Sequence, residues 1–274
     1  MKVGIICDLE YSKCHNIRQF YFALTNLYGV LRVVKSKEDL EGIDTLFIGD
    51  SHYPEHRTVF MQEGFIDTCN ANKIKVVVFI TERIFDSFFA HNPQRYADIK
   101  QFKYLVHFTV DVDDCEKLGT KLHRSLFSRF YKDFIEVPEK LNKVVFIGKV
   151  NGECYSERKH TLKEISKQIE IDIIPPKFES WRDYMNTLAK YRFVFSPIGN
   201  ANAFNFRFYE ALLVKAIPIH QVRINTLKYY DIEAGFGDCI YFETIKDLPF
   251  KIKNCNLAQS YSEFWFEDYL KTIL

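Results

Sequence analysis

The sequence predicts an α/β fold built from two Rossmann-like domains. Three observations carry that expectation. Short apolar runs, such as IKVVVFI at 74–80 and KVVFIGK at 143–149, alternate with segments of helical periodicity. The alternation occurs twice, interrupted at 137–142, where Pro138 stands in a stretch with little apolar pattern. The chain of 274 residues suits two ordinary α/β domains better than one large domain.

In chain order, Lys2 to Cys7 reads as a first buried strand. The loop after it, 8–16, has no Gly-x-Gly-x-x-Gly, which argues against a classical dinucleotide site. Ile17 to Tyr28 is apolar at helical spacing through Ile17, Phe20, Leu24 and Leu27. Leu31 to Val34 and Thr45 to Gly49 read as strands, the latter ending in Asp50, Ser51 and His52. Thr58 to Asn72 is predicted to be one helix, and Ile74 to Ile80 the most buried strand, leaving through Thr81, Glu82 and Arg83. Tyr104 to Phe108 is a further strand. In the second half, Lys143 to Gly148 reads as a strand, about 156–168 as a helix, 169–174 as a strand and 180–190 as a helix with Trp181, Tyr184 and Leu188 on one face. Ile240 to Phe242 is a last short strand, and 260–274 reads as an aromatic amphipathic helix with Tyr261, Phe264, Trp265, Tyr269 and Ile273.

Composition narrows the classes. Hydrophobic residues make up 47%, and 37 basic side chains nearly balance 36 acidic ones, so no global field draws the chain to nucleic acid or membrane. Seven cysteines are scattered without a Cys-x-x-Cys pair, which argues against a zinc ribbon or redox motif. An odd cysteine count, with no secretion signal and no apolar run long enough to span a bilayer, leads to the expectation of a cytoplasmic protein without stable membrane insertion.

The most informative stretch is FVFSPIGNANAFNFRFYEALLVKAIPI, 193–219. A buried strand stops at Pro197. A polar loop holds Gly199, Asn200 and Asn202. Asn205 is placed to cap a helix from Arg207 to Val214, and Ala216 to Ile219 returns as a strand. Open α/β sheets bind ligands where their strands end, and a helix start suits phosphate. Arg207 and Glu210 share a helix face, with a guanidinium to fork onto a phosphate and a carboxylate to accept hydrogen bonds from two neighbouring hydroxyls. A nucleotide sugar carries both groups. An ordinary surface Arg–Glu pair is the competing reading, and the Gly/Asn loop between two buried strands weighs against it.

The order S-P-x-G, R-F-Y-E-A-L, I-P-I resembles the donor half of GT-B glycosyltransferases, above all exostosin-like sugar transferases. The resemblance implies two Rossmann-like domains facing a central cleft. It implies that Glu210 meets the donor ribose and Arg207 the phosphates, although Lys215 stands where that family often has Gly. It also implies that a basic residue after the first strand of this half meets the diphosphate, and Lys149 and Arg158 are the candidates. The expected division is a first domain over 1–138, a donor domain over 139–256, and a C-terminal helix, 257–274, packing back on the first domain. No essential metal or other cofactor is expected.

More loosely, the order of elements over 43–88 and the run N-x-N-x-F-x-x-R-x-x-E at 200–210 are similar to the DNA β-glucosyltransferases of T-even phages. That likeness implies a catalytic base following Thr81, here Glu82 in place of Asp. Asp8, Asp50 and Glu82 all end first-half strands, and a base that takes the acceptor proton belongs at such a position. Asp50 joins Glu82 as a catalytic candidate, and Asp8 and Ser51 lie on the acceptor side. Two acceptors stay open: a 5-hydroxymethyl-pyrimidine in phage DNA, or a glycan or lipid-linked sugar. For DNA, Arg124, Arg129 and Lys132 with Phe127, Phe130 and Tyr131 offer a basic, aromatic stripe at helical spacing. A protein that binds a nucleotide sugar without turning it over is the alternative of another class. Two patterns read as non-metal features. His52 and His56 are separated by Pro54 and read as a solvated loop pair. Asp111-Val112-Asp113 reads as a solvated loop or helix cap.

Overall fold

The structure is a computed structural model and describes residues 1–6, 15–49, 54–81, 83–85, 92–122, 127–132, 135–152, 155–199, 203–223, 239–255 and 265–273. The chain forms two compact units, one of Met1–Phe130 with Trp265–Leu274, the other Tyr131–Phe264.

The first unit holds a six-stranded sheet. Its strands in chain order are β1 (Val3–Ile6), β2 (Arg32–Val33), β3 (Thr45–Ile48), β4 (Lys75–Ile80), β5 (Leu105–Thr109) and β6 (Lys121–Leu122). They lie in the spatial order β2-β1-β3-β4-β5-β6, and every pairing is parallel. A parallel sheet needs cover on both faces, and β4 shows how the sequence provides it. Val76, Val78 and Ile80 enter one core with Phe60, Phe65 and Phe102. Phe79 points the other way, 4.8 Å from the Phe20 ring and 5.9 Å from that of Phe266. The helices are α1 (His15–Tyr28), α2 (Pro54–Phe60), α3 (Phe65–Ala71), α4 (Asn92–Ile99) and α5 (Val112–Leu118).

The single helix expected over 58–72 is two. Gly64 sits between them at φ 74°, a left-handed conformation that ends helical propagation and that glycine adopts without a Cβ clash. Pro54 opens α2 at a first-turn position where its missing N–H costs nothing, and it puts His56 inside the fold at 2% exposure. His56 is therefore a buried residue and not part of a solvated loop. His52 lies outside the described residues.

The second unit holds β7 (Leu141–Ile147), β8 (Ile171–Ile174), β9 (Tyr191–Ser196), β10 (Ile217–Gln221) and β11 (Ile240–Phe242), in the order β11-β10-β9-β7-β8 with every pairing parallel. Helices α6 (Ser156–Ile165) and α9 (Leu248–Lys253) contribute to one core, where Leu162, Ile165 and Leu248 meet Phe146, Phe195 and Ile219. Helices α7 (Trp181–Ala189) and α8 (Phe206–Leu213) contribute to the other, where Met185, Leu188 and Ala211 meet Val145, Ile147 and Val194. Tyr131 and Ile135 pack with this unit: Tyr131 sits edge-on to Trp181 at 5.1 Å, and Ile135 joins the α7/α8 core. Among the described residues, no helix is long and apolar enough to cross a membrane.

The last helix, α10 (Phe266–Ile273), belongs to the first unit. The Phe266 amide donates to Phe127 O at 2.9 Å, and its ring meets Phe20 edge-on at 4.8 Å. Residues 260–264 and 274 of the expected helix lie outside the described residues.

Candidate functional site

The site forms where β7 and β9 end. Arg207 is in the first turn of α8, but its side chain reaches across to β7, where Nε donates to Ile147 O at 2.8 Å. Its guanidinium lies over the Phe146 ring, 4.6 Å from the centroid. Gly148 makes this approach possible, because a Cβ there would stand 2.5 Å from Arg207 Nη2 and 2.9 Å from Phe146 Cζ.

Arg158, in the first turn of α6, comes to the same strand end. Its Nη1 donates to Lys149 O at 3.1 Å, and its guanidinium packs over Tyr155 at 4.6 Å. Its Nη2 lies 3.8 Å from where a Cβ on Gly199 would be, so the loop after β9 passes beside it. Lys149 is exposed on the same loop as Gly148. Among the described residues, Tyr155 does not cap the start of α6 with its side chain, and that helix start adds to the positive character of this end.

The loop after β9 is anchored from beneath. Ser196 Oγ donates to Asn205 Oδ1 at 2.7 Å, and Asn205 Nδ2 donates to Pro197 O at 2.6 Å. Asn205 Oδ1 also accepts the Phe208 amide at 3.3 Å, which is the helix cap expected of it. That cap already engages one of the amides at the start of α8. Ser196 spends its only proton on Asn205, so His220, with Nδ1 3.1 Å from Ser196 Oγ, is the donor in that pair. His220 is 1% exposed among Phe204 and Phe208, and burial pushes its imidazolium down to about 3.

Glu210 lies one turn beyond Arg207 and faces α7. The Tyr184 hydroxyl donates to its carboxylate, and the Trp181 side chain lies near enough to help hold that carboxyl down. Burial raises the Glu210 carboxyl, opposed by Tyr184, Arg207 and Trp181 in that order. The Tyr184 phenol is held well above its ordinary range by burial and by the Glu210 charge. With the Tyr184 hydroxyl fixing it, the carboxylate keeps lone pairs for further hydroxyls.

Lys149, Arg158, Gly199, Arg207 and Glu210 thus gather at one end of one sheet. Asn200 lies outside the described residues, as do Glu82, Asp50, Asp8 and Ser51. Tyr184 and Trp181 were legible only as an apolar helix face. Their spacing of three, one helix before the Arg–Glu pair, was the available signal.

Near the end of β4, Asp114 accepts the Ile84 and Phe85 amides at 2.6 and 3.2 Å, and Arg83 pairs with Asp113 at 3.0 Å and Asp111 at 3.7 Å. Asp111 is fully buried and caps α5 by accepting the Asp114 amide at 3.0 Å, so the Asp-Val-Asp run is a buried cap and ion pair and not a solvated loop. Burial raises the Asp114 carboxyl, opposed mainly by the Ile84 amide. Of the basic, aromatic stripe, Arg129, Phe130 and Lys132 are exposed among the described residues. Phe127 and Tyr131 are buried, Arg129 pairs with Asp268, and residues 129–131 make one turn of 3-10 helix. Arg124 lies outside the described residues. No group of three or more His, Cys, Asp or Glu among the described residues is arranged to hold a metal ion.

No family model matches the chain, and no curated protein sequence matches it. Among solved structures, one that is similar is an alpha1,3-fucosyltransferase, at 12% identity and TM-score 0.46 over 92% of this chain and 77% of that one. Another is an alpha-glucosyltransferase in complex with UDP and a 13-mer DNA containing a HMU base, at 12% identity and TM-score 0.49 over 92% of this chain and 90% of that one.

Proposed function

We propose that the protein is a GT-B glycosyltransferase that moves a sugar from a nucleotide-sugar donor, UDP-linked, to a hydroxyl acceptor. The observation that carries this reading is the pairing of two ring-stacked guanidiniums, Arg158 and Arg207, with the half-buried carboxylate of Glu210 at the end of one parallel sheet. A diphosphate and a ribose diol need that combination of charges. Arg158, Lys149, Arg207 and the α6 start take the diphosphate, Gly199 and Asn200 line it, and Glu210 accepts from the ribose. When the bond from the anomeric carbon to the diphosphate oxygen breaks, the leaving charge grows against these cations, and no bridging metal is required. The acceptor hydroxyl forms the new bond and yields its proton to Glu82, with Asp50, Asp8 and Ser51 on the acceptor side.

The acceptor we favour is a 5-hydroxymethyl-pyrimidine in phage DNA, which places the protein in a host cytoplasm and requires the base to leave the stack. Its support is the order of elements in the first half. The R-F-Y-E-A-L run supports the second reading, an exostosin-like transferase acting on a glycan or lipid-linked sugar.

The test is a transfer screen read by mass spectrometry. UDP-, GDP- and dTDP-sugars are offered with duplex DNA containing hydroxymethylcytosine and, separately, with glycan acceptors. A gain of one sugar mass on the DNA is the expected result, and a gain on glycans alone selects the second reading. Glu82→Gln should keep donor binding and lose turnover. Bound donor with no transfer to any acceptor would make the protein a binder and not an enzyme.

A further inference from the structure

Lys140 immediately precedes β7, at the end of the second sheet opposite the site. Its Nζ donates to Ala189 O at 2.8 Å, to Val214 O at 2.9 Å and, more weakly, to Tyr191 O at 3.4 Å. Ala189 is the last residue of α7 and Val214 the C-cap of α8. The last carbonyls of a helix lack partners within it and carry the negative end of its dipole, so one ammonium serves two helix ends at once.

Both helices start at the site. Trp181 and Tyr184 lie in the first half of α7, and Arg207 and Glu210 are the second and fifth of the eight residues of α8. An α-helix of eight or nine residues is a rod of roughly 12–14 Å, so its far end sets the placement of its near end. We propose that Lys140 is a positioning residue for the donor site: by gripping the C-terminal carbonyls of α7 and α8 it sets one helix against the other, and so holds Tyr184 and Trp181 on Glu210. The proposal rests on the donor-site reading above.

The surroundings fit this role. Half-buried Lys140 is pushed down to about 8, first by burial and then by the nearby charges of Arg192 and Lys215. A lysine held merely for solubility would turn to water. This one stays beneath the sheet against two like charges, where the helix carbonyls are its counterweight.

The experiment is a double-mutant cycle between Lys140→Met and Glu210→Ala, read as UDP and GDP affinity by calorimetry, with thermal melting alongside. K140M should weaken nucleotide binding about tenfold. In the E210A background the same change should add nothing, because its effect passes through that carboxylate. Additive losses, or unchanged affinity in a folded K140M protein, would overturn the proposal. If K140M does not fold, Lys140→Arg enters the same cycle, and its effect must likewise vanish without Glu210.

A second readout stands apart from nucleotide binding. In a Trp265→Phe background, K140M should shift Trp181 emission as α7 moves and the indole's surroundings beside Glu210 change, and W181F identifies the band. If the unmutated protein binds neither nucleotide, the donor-site reading fails. The emission shift then decides on Lys140 alone, and an unmoved band overturns it.

Discussion

Gly148 and Arg207 show how much one residue can decide. The guanidinium lies where a Cβ would stand, pinned between the Phe146 ring and Ile147 O. Gly148→Ala must push Arg207 off the strand end, because the other close atom belongs to a buried ring that cannot move aside. Nucleotide affinity should fall at least tenfold, and the melting temperature should also fall because the Cβ presses on the Phe146 ring; calorimetry and a thermal melt read the two effects. The Arg–Glu spacing was legible in the sequence, but the direction each side chain takes was not. Arg207 turns to β7 and Glu210 to α7, although both share one face of α8, because their partners come from segments some sixty and twenty-six residues away.

At the scale of elements, the chain Asn205–Ser196–His220 ties β9, β10 and the start of α8 into one unit. Folding keeps His220 neutral, with a value near 3 against 6.5 for the free side chain. Between those values the unfolded chain binds a proton that the folded one refuses. Stability is therefore complete above pH 6.5 and is lost as pH falls toward 3. From pH 7 to pH 5 this single group should cost on the order of 2 kcal/mol, measurable by urea denaturation. In His220→Asn that pH dependence should flatten. The Asn205 cap was readable from local pattern, since a cap depends on neighbours in sequence. The break at Gly64 was not read, because an apolar rhythm on both sides hides a change in one backbone dihedral.

Across the whole molecule, the last helix shows what joins distant parts of the chain. Glu267 is 3% exposed and accepts from Asn26 Nδ2, Ser128 Oγ and the Arg129 amide. Glu267→Ala should cost roughly 3 kcal/mol, because it takes the acceptor from the buried Ser128 hydroxyl and removes two further hydrogen bonds. A denaturant melt checks this, and loss of the Phe20–Phe266 contact should accompany it in aromatic NMR shifts.

By itself, the sequence determined two alternating sets of strands and helices, the apolar faces of β4 and β7, the cap on α8, and the residue types gathered where β7 and β9 end. These follow from period, propensity and near neighbours, all of which act over a few residues. Only the tertiary structure decided that Tyr184 and Trp181 serve Glu210, that Asp111 is buried against Arg83, and that Lys140 joins two helix ends. Those pairings depend on which segments the parallel sheets bring side by side, and no local rule of spacing carries that information.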